Sequence, residues 1–206
     1  MVGKRIVIWG PTGSGKTTLS RRLGELLQLG VVELDAIRHA TGWDSTPWEE
    51  FRLRLANTLD AHSAGWISDG SYSPVSDIYL SRADTLIWLR LPWRTSFRRL
   101  LRRTISRAWT REPLYADGGP RESWRLSFLS RKSILWWSIS HHRAHLRTSR
   151  ERLSRLPAHV TVYELRSPAE VEAFLCAVAA KAAAAALPPG ASSPPETPSH
   201  GTTPPA

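Results

Sequence analysis

Residues Gly10-Pro11-Thr12-Gly13-Ser14-Gly15-Lys16-Thr17 fit the pattern of a glycine, four variable residues, then Gly-Lys-Thr in full. Glycines let successive backbone N–H groups turn inward around phosphate oxygens with no Cβ in the way. A helix beginning where the loop ends aims its positive pole at the same phosphates. Lys16 is then the residue that bridges β- and γ-phosphates, and Thr17 the hydroxyl that meets Mg²⁺. The competing reading is a chance glycine-rich turn, and the flanks speak against it. Lys4–Trp9 is a short β-branched apolar run bounded by Gly10-Pro11, which predicts a buried strand. Thr17–Leu29 predicts a helix with Leu19, Leu23, Leu26 and Leu27 on one face and Gly30 as its stop. Gly10–Thr17 together with Thr18 is therefore the expected ATP-binding segment, with Lys16 in a catalytic role.

Outward from this unit the alternation continues. Val31–Leu34 predicts a second strand ending at Asp35, Trp48–His62 a helix with Phe51, Leu55 and Leu59 four apart, and Trp66–Ser68 a third strand ending at Asp69-Gly70. Thr85–Leu91 predicts a fourth strand, and Pro92 suits the first turn of the next helix. That helix carries an apolar stripe of Trp93, Phe97, Leu100, Leu101 and Ile105. Trp109–Arg121 holds two prolines and two glycines and predicts a loop. A helix over much of Glu122–Leu153, a strand at His159–Leu165 and a helix at Pro168–Lys181 complete the chain. Strands alternating with helices predict an α/β three-layer sandwich, a parallel sheet with helices on both faces.

A chain of 206 residues, 41% apolar with ten tryptophans, suits one globular domain. The expected division is a domain over 1–182 and a disordered Pro/Ser/Ala-rich tail over 183–206. Past Leu187 the only formal charge is Glu196 and there is little to bury. Cys176 stands alone, so no intramolecular disulfide can form, and no segment reads as an export signal or membrane span. The expectation is a cytoplasmic protein without a membrane partner.

The net charge of +10 is local. Between Arg90 and Arg155 there are 17 Lys/Arg and four acids, an excess of 13, so the rest of the chain carries −3. Such a block faces an anion, either a nucleotide's phosphates or a nucleic-acid backbone. Arg94, Arg98 and Arg102 fall four apart, as do Arg99, Arg103, Arg107 and Arg111, and each row makes a ridge on one helix. Arginines on a mobile element stabilise a phosphoryl group in transfer. Arg99, Arg103 and Arg107 are the expected phosphate contacts, Arg103 and Arg107 as catalytic groups. The loop at Trp109–Arg121 is a candidate lid.

In open α/β sheets ligands collect at the carboxyl ends of strands. Asp69, with Gly70 after it, is the candidate to hold Mg²⁺ waters alongside Thr17. Asp35 is the candidate to face the acceptor and take a hydroxyl proton. The competing reading of each aspartate is a helix or turn cap. Arg38, one turn after Asp35, reads either as a clamp for an acceptor anion or as a surface arginine. Trp43 and Trp48 belong to the segment expected to wall the acceptor. His141 and His145 lie four apart without a cysteine or carboxylate nearby, which argues against zinc, and Trp136-Trp137 reads as core.

Taken together, these residues resemble the adenylate-kinase-like P-loop kinases, specifically the small topology-modulation-protein-like group. The likeness runs from about Lys4 to about Leu175. It is carried by Gly10–Thr17, Glu33-Leu34-Asp35, the segment Trp66–Ser73, Arg82-Ala83-Asp84, Leu89-Arg90-Leu91-Pro92 and the arginine helix. The resemblance implies a five-stranded parallel sheet in the order 2-3-1-4-5, a short arginine-bearing lid, a monomer, and Mg²⁺-ATP-dependent phosphoryl transfer. It places Asp69 at the Walker B-like position and Asp35-Ala36-Ile37-Arg38 on the adenylate kinases' Asp-x-x-Arg. Ser71-Tyr72-Ser73 replaces their Phe-Pro-Arg, which weakens AMP as acceptor, and Arg90 stands where relatives often carry Asp. The resulting expectation is a kinase moving the γ-phosphoryl of ATP to a small-molecule or nucleotide-type acceptor. The rivals are a nucleic-acid-associated P-loop ATPase and an ATP-binding regulatory protein.

Overall fold

A computed structural model describes residues 2–39, 46–110, 144 and 146–186. Trp43, the part of the expected loop at 111–121, the expected helix of Glu122–Leu153 as far as 143, His141 and His145, Trp136-Trp137 and the stretch from 187 on lie outside the described residues.

The apolar run after Lys4 forms β1 (Arg5–Trp9), with Ile6, Val7 and Ile8 fully buried. Full burial means both faces of this strand are covered, and it is the centre of the sheet. β2 (Gly30–Glu33), β3 (Trp66–Asp69), β4 (Thr85–Leu89) and β5 (Thr161–Leu165) complete five parallel strands in the order 2-3-1-4-5. Side chains alternate across the sheet. Val7 and Trp9 point to one face, where Phe51, Leu55, Tyr79, Leu86 and Trp88 pack with them. Ile6 and Ile8 point to the other, against Leu19, Leu23, Ile67, Ile87, Leu89 and Leu175. Each fully buried aliphatic or aromatic side chain contributes about 1.5–3 kcal/mol.

The second face is covered by α1 (Lys16–Leu27) and α6 (Pro168–Ala186), the first by α3 (Trp48–Ala61) and α4 (Ser76–Leu80). A helical stretch over 146–153 contributes Leu146 and Leu153 to the first face. α5 (Trp93–Thr110) follows β4, and Pro92 caps it: its carbonyl accepts from the amides of Thr95 and Ser96.

Several boundaries differ from the sequence reading, each for a local reason. α1 is not stopped by Gly30. Gln28 takes the left-handed cap at φ 54°, its N–H bonded to the Gly24 carbonyl, and Gly30 opens β2. Gly30 is instead a close approach, since a Cβ there would lie 2.1 Å from the His62 ring. The strand before Asp35 ends at Glu33, and Leu34–Arg38 forms the short helix α2, so Asp35 stands in a first helical turn. Trp109 and Thr110 finish α5 rather than begin a loop. On α5 the buried face is Ser96, Leu100 and Thr104, while Ile105, counted in the apolar stripe, is 41% exposed.

The amino ends of the strands are tied by one side chain. The Asp84 carboxylate accepts from the amides of Lys4 and Arg5, while its own N–H bonds Arg5 and its carbonyl takes Thr161. β1, β4 and β5 are thereby joined at the end of the sheet away from Gly10–Thr17.

Candidate active site

The loop from Gly10 leaves β1, and α1 begins directly after Gly15, whose φ is 95°. No side chain caps this helix start and its first turn holds no acid. The amide donors there remain available to an anion, and the helix pole favours one. Gly13, at φ 80°, is where the loop meets α5. A Cβ there would fall 2.4 Å from the Ser96 carbonyl oxygen and 3.0 Å from the Leu100 Cβ. Only glycine combines that backbone with that contact. The Ser14 and Ser96 hydroxyls in this region are buried without hydrogen-bond partners among the described residues.

Lys16 Nζ donates to the carbonyls of Gly10 at 3.0 Å and Pro11 at 3.3 Å, which holds the ammonium over the loop. Burial pushes its pKa down, Asp69 and then Asp35 oppose that shift, and Arg103 adds to it. Asp69, at the end of β3, is 7% exposed. Burial raises its carboxyl above the ordinary range, against a hydrogen bond donated by the Thr17 hydroxyl and the charge of Lys16. Asp35 and Glu33 add smaller upward pushes. Glu33 is the register partner of Asp69 across β2 and β3, as Ile8 is across β1. The strand register therefore brings Asp69 beside the P-loop strand and Glu33 beside Asp69.

These groups open onto one cavity of about 970 Å³. Thr12, Gly13, Ser14, Gly15, Lys16, Thr17 and Thr18 line it, and so do Asp35, Asp69, Arg99 and Arg103. Arg99 Nη1 donates to the Ser14 carbonyl at 3.3 Å, so the inner arginine row of α5 faces the loop. Arg107 continues that row on the helix, and its side chain lies outside the described residues. Gly10 and Pro11 sit beneath the rim as acceptors for Lys16, and Gly70 carries the chain from Asp69 toward Tyr72.

Asp35 is exposed, and the Tyr72 hydroxyl donates to its Oδ1 at 2.7 Å. Arg38 is not brought to this cavity. Its guanidinium lies 3.9 Å over the Trp48 ring and 5.9 Å from that of Phe51, with Nη1 buried and unpartnered among the described residues. Trp48, Phe51 and Tyr72 form a contiguous aromatic group with centroids 5.5–6.3 Å apart. Arg90 bonds Glu164 at 2.7 Å, a tie from β4's end to β5, and does not itself line the cavity, although its neighbour Leu89 does.

The sequence reading missed Tyr72 as Asp35's partner, Glu33 as Asp69's neighbour, and Pro168, Val171 and Glu172 of α6 as cavity walls. Glu33 was within reach, because a strand ending beside another strand's terminal aspartate places its own last residue there. The other contacts join segments distant in the chain and leave no local signal.

The donor set suits a hard cation: a threonine hydroxyl and a carboxylate, already hydrogen-bonded to each other, at the mouth of a helix. Among the described residues no cluster of three or more His, Cys, Asp or Glu could hold a metal ion. No helix among the described residues is long and apolar enough to cross a membrane.

No family model matches the chain, and no curated protein is similar to it at a significant level. Solved structures are similar in fold. Deoxyadenosine kinase from M. mycoides with bound dCTP is 12% identical over 85% of this chain and 98% of its own, with a TM-score of 0.44. Shikimate kinase from Acinetobacter baumannii in complex with shikimate is 20% identical over 89% and 94%, at 0.46. Shikimate kinase from Bacteroides thetaiotaomicron is 16% identical over 84% and 95%, at 0.48. At such identities the likeness concerns the arrangement of the chain, and nothing about a substrate is taken from it.

Proposed function

We propose that this chain is a P-loop kinase of the adenylate-kinase-like kind, moving the γ-phosphoryl group of ATP to a hydroxyl acceptor. The observation that carries the reading is the single cavity in which the P-loop, the Thr17–Asp69 pair, the inner arginines and Asp35 meet. The segments Trp66–Ser73 and Leu89–Pro92 further support the topology-modulation-protein-like subgroup.

The roles follow from position. Backbone N–H groups of Gly13–Thr18 hold the phosphates, and Lys16 leaves the loop carbonyls to bridge the β- and γ-groups. Arg99 and Arg103, on the helix packed against the loop, offset charge on the moving group. Thr17 and Asp69 would hold Mg²⁺, which would supply neutralisation of phosphate charge. The acceptor oxygen forms a bond to the γ-phosphorus as the bond to the bridging oxygen breaks. ADP leaves with that electron pair, and the hydroxyl proton passes to Asp35, which Tyr72 holds in place.

The test is ADP release by purified protein with Mg²⁺-ATP, across nucleosides, nucleoside monophosphates, sugars and amino alcohols. Lys16→Ala should lower acceptor-dependent release by about 10²–10³-fold, the cost of losing one preorganised charge donor. Release indifferent to every acceptor, or unchanged by that substitution, overturns the reading.

One observation favours a second reading, a nucleic-acid-associated ATPase. Arg94, Arg98 and Arg102 form an exposed row on α5, distinct from Arg99 and Arg103, and make no ion pair with a described residue. That reading requires duplex affinity with a steep salt dependence. Absence of binding near physiological salt removes it.

A further inference from the structure

We infer that the acceptor is a hydroxyl compound bearing a protonated amine, and not one bearing phosphate or carboxylate. This rests on the kinase reading and concerns the half of the cavity facing β2 and α2. Five cations line the cavity among the described residues, and none is left over for an acceptor's anion. Lys16 and Arg99 are bonded to P-loop carbonyls, and Arg103 stands beside Lys16 on the donor side. Arg21 is paired with Glu33 at 3.0 Å, and Arg22 with both oxygens of Glu172 at 2.6 and 2.8 Å.

The residue best placed in sequence to clamp an acceptor anion, Arg38, is spent elsewhere. Its guanidinium lies 3.9 Å over the Trp48 ring, outside the cavity lining, with Nη1 buried. Stacking on an aromatic face attracts the guanidinium and holds its fork of donors away from the cavity.

The anions are placed the other way. Asp35 lines the cavity, is exposed, and has a neutral partner, the Tyr72 hydroxyl, in place of a cation. Asp69 lies deeper on the same side, close enough to Asp35 for each charge to disfavour the other. Val31, Ala36 and Ile37 give this half an apolar wall for a carbon skeleton. Among the described residues no unpaired cation of this half stands ready for an incoming phosphate or carboxylate, whereas an ammonium gains from Asp35. Asp35 then orients the amine-bearing end while its hydroxyl neighbour faces the γ-phosphoryl. The transfer itself is unchanged: the acceptor O–H gives its proton to Asp35 and its oxygen to phosphorus.

The experiment compares hydroxyl compounds in three charge states as acceptors with Mg²⁺-ATP, reading kcat/KM from ADP release. Ethanolamine, 3-aminopropanol and kanamycin carry a protonated amine, glycerol and adenosine are neutral, and AMP, glycerate and shikimate are anionic. The expected result is an advantage of about tenfold or more for an amine-bearing compound over every neutral one. That advantage shrinks as salt rises, and anionic compounds stay at background. Preference for a neutral or an anionic acceptor overturns the inference and leaves the kinase reading standing. Failure of every compound to raise ADP release above the Lys16→Ala level overturns the kinase reading, and the inference with it.

Discussion

A Cβ on Gly13 would lie 2.4 Å from the Ser96 carbonyl, so even alanine must push the loop off α5. With φ at 80° the substitution is strained in its backbone as well. Gly13→Ala is expected to cost about 2 kcal/mol or more in denaturant unfolding and to weaken binding of a fluorescent ATP analogue in parallel. Asp69 presents the opposite case, a residue whose native charge works against stability. Its native carboxyl pKa is raised by burial, so the folded state binds the proton more tightly than the unfolded one. Stability contributed by the protonated form is therefore lost as pH rises from the ordinary carboxylate range through the raised value. Asp69→Asn should raise Tm at neutral pH by about 2–4 °C, a 1 kcal/mol effect in a chain of this size, while abolishing Mg²⁺-dependent turnover. A fall in Tm would show that the Thr17 and Lys16 contacts outweigh desolvation.

Among the elements, α5 divides its arginines between two faces. Arg99 and Arg103 border the cavity, and Arg98 points away from it into solvent. Arg103→Ala is expected to lower kcat by about 10²-fold with little change in Tm, and Arg98→Ala to leave kcat within about twofold. Equal losses from both would mean that α5 acts through its summed field. The two rows were legible in the sequence because a spacing of four is a property of any helix. Which row faced the loop was not legible, since it depends on Gly13 admitting the Ser96–Leu100 face of α5. The same distinction runs through the site. Gly10–Thr17 and Asp69 could be read from local chemistry, a loop that must bind phosphate and a carboxylate at a strand's end. Arg38 could not, because Trp48 arrives from another helix to take its guanidinium. Arg90 likewise owes its role to Glu164, 74 residues away.

For the molecule as a whole, the parallel order 2-3-1-4-5 gathers β1, β2 and β3 side by side with their carboxyl ends at one rim. That order was foreseen from family resemblance, and alternation of elements alone would have left several orders open. The five described strands and both described core clusters lie within residues 2–186, where α6 packs Leu175 and Val178 against α1 and the sheet. Deleting residues 187–206 is accordingly expected to leave Tm, the cooperativity of unfolding and ATP affinity unchanged, which thermal melts of the two forms will check. A large drop on deletion would mean that the terminal stretch belongs to the folded unit.

Asp84 fastens three strands at the end of the sheet remote from the P-loop. The consequence is for anyone wishing to redirect the protein. Whatever tolerance to change the scaffold possesses is anchored at one pole, and the walls that select a guest are at the other. A mutant library confined to positions 31, 36, 37 and 58 would vary those walls and leave the fastening untouched. Diversifying residues 3–5 and 82–85 would yield mostly misfolded clones with nothing new to select.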